Sequence, residues 1–154
     1  MDRPVELVEF ETMLLSRYML NPRYHSDYGV LERSAYLLLN RLEMTGPLSI
    51  RQLSEALHLD ASTLNRQTGA LLRDRLVERI ADPDGGIARK FRITDAGRQD
   101  LNAHRTASVE GLKRVMQDWP ADDVTAFAGY LRRFNDGIER LAGHPWPRPE
   151  SGEH

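Results

Sequence analysis

The chain has no cysteine, which removes disulfides, zinc–thiolate centres, thiol nucleophiles and cysteine-based peroxide sensing together. It also has no apolar run near the ~18 residues that a spanning helix requires. Its opening, MDRPVELVEF, places carboxylates where a secretion signal needs an unbroken apolar stretch, so a cytoplasmic protein with no membrane partner is expected. Excess positive charge is missing too: 21 Lys and Arg stand against 23 Asp and Glu, a net of −2, which is not the profile of a chain that coats nucleic acid wholesale. Lysine itself is nearly absent, with Lys90 and Lys113 the only two, so the cations are guanidinium groups. Those suit bidentate contact with phosphate or guanine and equally suit surface ion pairs.

Catalytic signatures are lacking as well. There is no nucleophile elbow, no phosphate-cradling glycine loop and no paired-carboxylate arrangement in a fitting structural setting. His25, His58, His104, His144 and His154 show no close helical spacing with carboxylates, so neither a metal site nor a cofactor is expected. The reading is of a protein that is not an enzyme.

What is present is a single-domain length of 154 residues with 40% hydrophobic and 29% charged side chains, ordinary values for a chain that folds. Charge is unevenly spread: positions 51–98 hold 9 basic and 7 acidic residues, so the middle is the locally basic part. From Val5 to Leu20 the apolar residues fall on two helical lines, Val5, Val8, Leu15 and Met19 on one and Leu7, Phe10, Leu14 and Tyr18 on the other. One stripe satisfies the chain's own core, so the second predicts cover by another copy, a homodimer. Residues 21–28 read as a loop, and Leu31–Met44 resumes helical periodicity until Thr45-Gly46-Pro47.

Ser49 is placed to cap a short helix carrying Ile50, Leu53 and Leu57, and Asp60 to cap a second that reaches about Arg73. Two short extended stretches, Leu76–Ala81 and Ala88–Thr94, flank Asp82-Pro83-Asp84-Gly85-Gly86, a dense turn signal, which predicts a hairpin. Thr94 then caps a long helix reaching Trp119, and a last helix carries Val124, Phe127, Leu131, Phe134, Ile138 and Leu141, a stripe suited to helix pairing. The segment from Gly143 has three of the eight prolines and no periodicity, so 143–154 is expected to be a mobile tail.

Two short helices, a tight turn and an Arg-bearing hairpin outline a winged helix-turn-helix. At 100° per residue, Leu64, Thr68, Leu71 and Leu72 gather on one side of the second helix. Ser62, Asn65, Arg66, Gly69 and Arg73 gather on the other, with Thr63 and Gln67 between. Arg pairs with guanine, Asn or Gln with adenine, and Ser or Thr with either. Ser62, Thr63, Asn65, Arg66, Gln67 and Arg73 are therefore the candidate DNA contacts on that helix. Arg89, Lys90 and Arg92 are the candidates on the hairpin, placed to straddle a phosphate backbone, with surface ion pairs to Asp82 or Asp84 as the alternative. Gly69 lowers helix propensity by roughly 1 kcal/mol, explained either by close approach to a groove wall or by helix–helix crowding.

With LSIRQLSEALHLDASTLNRQTGALL, LVERIADPDGG and FRITDAG in that order, the chain resembles a MarR-type (multiple antibiotic resistance regulator) transcription factor over roughly residues 5–142. The resemblance implies a mainly α fold with a small β wing, a winged helix-turn-helix flanked by long dimerisation helices. It divides residues 1–142 into a DNA-binding region at 31–98 and dimerisation helices at 4–20 and 99–142. It further implies a homodimer on a pseudopalindromic double-stranded operator with half-sites about 34 Å apart. Repression released by a small aromatic or phenolic ligand is the implied outcome. Such effectors bind where the dimer helices meet the winged region, which makes Arg17, Tyr18, Tyr24, His25 and Tyr28 candidates. This chain departs from the family at the wing tip, where Gly85-Gly86-Ile87 replaces an Asp-Arg-Arg type sequence and leaves Arg89 or Lys90 to make the groove contact. It departs again at His58 and Arg75, which stand where relatives place helix-ending glycines and so face a left-handed conformation. The missing wing-tip arginine also supports an alternative, a winged-helix interaction module or anti-repressor that binds no operator.

Overall fold

The computed structural model describes residues 3–20 and 31–149. Six helices are seen there, α1 (Val5–Leu20), α2 (Arg33–Thr45), α3 (Ile50–Leu57), α4 (Ala61–Arg73), α5 (Asp95–Val115) and α6 (Ala121–Ala142). Between α4 and α5 lies one hairpin, β1 (Val77–Ile80) and β2 (Lys90–Ile93), paired antiparallel with Val77 opposite Ile93 and Ile80 opposite Lys90. The expected mainly α fold with a β wing is what forms. None of these helices is long and apolar enough to cross a membrane.

The core belongs to the middle of the chain. Leu38, Leu39, Leu42, Leu53, Leu64 and Leu101 are each at most 1% exposed, and Leu71, Leu76, Val77, Phe91 and Ile93 complete the cluster. α2 packs on α5 and β2, and α3 packs on α4. Truncating any one of these leucines to alanine costs about 2–5 kcal/mol. The sequence pattern does not anticipate that Leu48, before α3, joins the sheet: its N–H donates to the Phe91 carbonyl at 3.2 Å and its carbonyl accepts from the Phe91 N–H at 2.8 Å. This bridge fastens the wing to the start of the helix-turn-helix.

The caps are those the sequence suggests. Ser49 and Gln52 form a reciprocal capping box, at 3.2 Å from the Gln52 N–H to Ser49 Oγ and 2.9 Å from the Ser49 N–H to Gln52 Oε1. His58 and Arg75 both adopt positive φ, at 54° and 58°, so the two chain reversals are made without glycine. Thr94 Oγ1 accepts the Gly97 N–H at 3.0 Å and donates to the Arg75 carbonyl at 2.7 Å, joining the start of α5 to the end of α4. α5 ends at Val115, one turn short of the expected Trp119.

The flanking helices differ from expectation. Both apolar lines of α1 lie in the open, from Val5 at 60% and Leu7 at 64% to Leu15 at 49%, where one line was expected to meet the chain's own core. α6 buries no residue at all and exposes Tyr130, Phe134, Ile138 and Leu141. The buried cluster is drawn from α2–α5 and the hairpin region, and neither α1 nor α6 adds a residue to it.

The tail also departs from expectation: residues 143–149, placed in a mobile end by composition, are tied down. Gly143 turns the chain with φ 76°. The His144 ring then meets His58 edge-on at 3.9 Å, and Trp146 Nε1–H donates to Asn40 Oδ1 at 3.2 Å beneath the Arg41 guanidinium. Arg148 donates to both Glu139 carboxylate oxygens, at 2.9 and 3.0 Å. Three prolines stiffen a segment whose aromatic and guanidinium groups have partners, and long-range partners of that kind leave no periodic trace in sequence.

The junction of α4, β1 and α5 gives a test of this packing. A Cβ at Gly97 would overlap the Leu76 carbonyl oxygen and stand 2.8 Å from Ile93 Cγ1. Gly97→Ala is expected to destabilise the fold by about 1–3 kcal/mol in a denaturant titration, although alanine is the better helix former.

Candidate nucleic-acid interface

α4 is fixed in rotation by its inner face. Leu64, Thr68 and Leu71 are at most 4% exposed, and the Thr68 hydroxyl, which is buried, donates to the Leu64 carbonyl at 2.7 Å. The opposite face follows from the 100° step: Ser62, Asn65, Arg66 and Arg73 are exposed. The separation of faces drawn from the sequence is therefore present in the fold.

The helix start is fixed by Asp60, whose carboxylate accepts the Thr63 N–H at 2.8 Å and the Ser62 hydroxyl at 3.0 Å. Hydrogen bonds from Thr63, then from Ser62, and the nearby Arg66 charge hold the Asp60 carboxyl below the usual carboxylate range. Since the folded value lies below the unfolded one, this support is in place above the ordinary carboxylate pKa. It disappears only as pH falls through the depressed value. The same contacts engage Ser62 and Thr63, two of the expected base readers, in organising the cap. Gln67 is half-buried with Oε1 enclosed and without a hydrogen-bond partner, so it reaches a groove only by changing rotamer. Asn65, Arg66 and Arg73 remain as the outward polar groups.

Gly69 lies on this face, and a Cβ there would meet only the tip of Arg73, at 3.7 Å. Crowding within the chain does not explain the glycine.

The three hairpin candidates divide. Arg89 is exposed. Lys90, by contrast, is 9% exposed and sets its ammonium 3.3 Å from Asp82, so its assignment as a DNA contact is corrected to a structural one. Lys90 leaves β2 on the same face as Arg92, and the loop carboxylates of Asp82 and Asp84, rather than the strand register, draw its ammonium in. Arg92 donates to Glu78 from Nε at 2.8 Å across the two strands, which leaves it half-exposed and already paired. Asp82 organises the loop: the Asp84 N–H at 2.9 Å, the Lys90 ammonium and the Gly86 N–H all converge on its carboxylate and hold it below the usual range. The sequence offers Asp82 both as part of a turn and as an ion-pair partner of the hairpin cations, and Lys90 takes up the second role; its hold on the loop N–H groups has its signal in the Asp-x-Asp spacing ahead of Gly-Gly. Between the start of α3 and this loop lies an open cleft of about 330 Å³, lined by Ser49, Gln52, Asp82 and Lys90 among others, too polar for an apolar ligand.

Of the expected effector residues, Arg17 and Tyr18 sit on α1 with the Arg17 guanidinium 6.0 Å from the Tyr18 ring centre. Tyr24, His25 and Tyr28 lie outside the described residues. His104 has a structural place, with Nδ1 accepting the Leu31 N–H at 3.2 Å and its ring 4.3 Å from that of Tyr36. Among the described residues no three His, Asp or Glu side chains come together as metal ligands.

Known proteins share this fold. A sequence model of the MarR family matches residues 31–86. The uncharacterized HTH-type transcriptional regulator YxaD of Bacillus subtilis (strain 168) is 37% identical over 133 residues, spanning 86% of this chain and 93% of that protein. A MarR family protein from Bacillus stearothermophilus superposes with a TM-score of 0.72 at 18% identity, covering 90% of this chain and 99% of that one. The PcaV transcriptional regulator from Streptomyces coelicolor, solved in complex with its natural ligand, gives 0.61 at 23% identity, covering 89% and 94%.

A methyl group at Gly69 separates folding from contact. Gly69→Ala is expected to raise stability by about 1 kcal/mol in a denaturant titration while weakening DNA binding in a gel-shift titration, because the methyl projects from the outward face.

Proposed function

The chain belongs to the MarR family of DNA-binding transcriptional regulators, and from that premise we propose that it acts as a homodimeric repressor, released from a pseudopalindromic operator by a small aromatic or phenolic ligand. The family is one of regulators rather than enzymes. The observation that carries the reading is the two-faced α4, with Leu64, Thr68 and Leu71 inside and Asn65, Arg66 and Arg73 outside. In this reading α4 enters the major groove, Arg66 pairs with guanine and Asn65 with adenine, and Arg89 meets the backbone.

The dimer is supported by surface chemistry. α1 and α6 together expose Val5, Leu7, Phe10, Tyr130, Phe134, Ile138 and Leu141, each at least 48% accessible. So many large apolar side chains in the open, on two helices that add no residue to the buried core, are interface material. Repression follows from occupying promoter DNA in competition with polymerase, in the cytoplasm where the chromosome is read. Release by ligand is supported by the solved neighbour in complex with its natural ligand and by Arg17, a cation beside an aromatic ring on α1. A ligand seated against α1 changes the relative placement of the two α4 helices and shifts the population toward a geometry that no longer spans the half-sites.

Two measurements test this. On a duplex selected from a randomised library, affinity falls linearly on a logarithmic salt scale, and Arg66→Ala weakens binding by about 1–3 kcal/mol at selected base positions only. No mobility shift at any salt concentration would instead favour the interaction module. Sedimentation equilibrium is expected to give a two-chain particle that Phe134→Glu converts to single chains with loss of DNA binding.

A further inference from the structure

The residues that alternate with proline in the C-terminal segment all have partners. Pro145, Pro147 and Pro149 follow His144, Trp146 and Arg148 in turn. Proline fixes its own φ and presses the residue before it toward extended backbone, so the segment is stiff before it docks and loses little entropy in docking. Its three other side chains reach three places: His144 meets His58 edge-on at 3.9 Å, Trp146 meets Asn40 and Arg41 of α2, and Arg148 turns back to α6.

Both fastenings are chemically specific. On α2, Trp146 Nε1–H donates to Asn40 Oδ1 at 3.2 Å, and the Arg41 guanidinium lies 5.0 Å from the ring centre. Arg41 Nε is enclosed and has no hydrogen-bond partner among the described residues, so the indole face is what this desolvated cation is given in exchange for water. On α6, Arg148 donates to both Glu139 carboxylate oxygens, reaches Asp136 at 3.5 Å and donates to the Trp146 carbonyl at 3.1 Å. A two-pronged contact of this kind fixes direction as well as distance.

The two bodies that the segment joins differ in kind. Asn40 and Arg41 belong to the body that holds α4, since Leu38, Leu39 and Leu42 of α2 share one core with Leu64 and Leu71. α6, by contrast, is 22 residues long, about 33 Å, and buries none of them. Near its start the Phe127 ring stands 5.4 Å from that of Trp119, and its far end is held by segment 143–149. A rotation of about 6° over that length displaces the far end by about 3.4 Å, the rise of one base pair, so a small freedom here is large on the scale of an operator.

We propose that residues 144–148 form a latch that sets the separation of the two α4 helices in the dimer, with Trp146 and Arg148 as its positioning residues. Two half-sites are occupied together only when both α4 helices stand at the operator's spacing. A stiff link from α6 to the body holding α4 raises the fraction of dimers in that geometry, and it does so without touching a base or a phosphate. This inference rests on the homodimeric DNA-binding reading above and adds to it residues that act on spacing rather than on contact.

The experiment uses the full chain, a duplex selected by it from a randomised library, and the same duplex with one half-site scrambled. Trp146→Ala and Arg148→Ala are each expected to bind the intact duplex about tenfold more weakly, the loss that follows when the spanning geometry falls to about a tenth of the population. Their salt slope and their affinity for the single half-site stay at wild-type values, because no phosphate or base contact is removed. Trp146→Phe, which keeps a ring beside Arg41 but loses the N–H, falls between. The chain has no cysteine of its own, so Asp74→Cys takes one spin label per protomer at the end of α4, and the label-to-label distance distribution is expected to broaden in both alanine variants. Wild-type affinity and an unchanged distribution in those variants would overturn the proposal. Equal losses on one and two half-sites would overturn it too, by making the segment a support for the folding of α2. A single-chain particle, or failure of the unsubstituted chain to bind any duplex, would overturn the homodimeric DNA-binding reading itself.

Discussion

The rotation of α4 about its own axis is the constraint on which the remaining structure depends. Leu64, Thr68 and Leu71 are sealed against the leucines of α2 and α3, and Asp60 holds the first turn. A helix advances 100° per residue, so a slip by one position would bring Thr63 or Asn65 to the buried place of Leu64, a polar group in a core with nothing to pair it. The burial of three side chains thus decides which side chains face outward. The turn before α4 and the junction after it exist to keep that angle, and both accept a positive φ without glycine, at His58 and Arg75, to do so.

The wing obeys a different logic. Two of its four basic side chains are paired within the molecule, Lys90 with Asp82 and Arg92 across the strands with Glu78, and Arg79 lies over the Phe91 ring. A hairpin of two four-residue strands is marginal alone. Its stability comes from the Leu48 bridge, the buried Phe91 and Ile93, and the Asp82 carboxylate that closes the loop. Charge that gives a wing its shape is withdrawn from its surface, which leaves Arg79 and Arg89 as its exposed cations outside the ion pairs.

The flanking helices complete the division. α1 and α6 contribute almost nothing to the core of their own chain, and segment 143–149 connects the end of α6 to Asn40 and Arg41 of α2 and to His58 at the turn before α4. That segment therefore ties the end of α6 to α2 and to His58, the residue of positive φ at the entry to α4.

Local and periodic features were decided by the sequence. The span of α1, the caps at Ser49, Asp60 and Thr94 and the two faces of α4 follow from neighbours within a few positions, where short-range sterics and hydrogen bonding suffice to set them, whereas the left-handed residues at His58 and Arg75 are legible only through the family resemblance. Only the tertiary structure decided whether Lys90 faces outward, whether either line of α1 meets the core, and whether the proline-rich end is anchored. Each of those depends on a partner far along the chain or across a strand register, Asp82 for Lys90 and Asn40 for Trp146. A charge or a ring carries no mark in one dimension of the group it will meet in three.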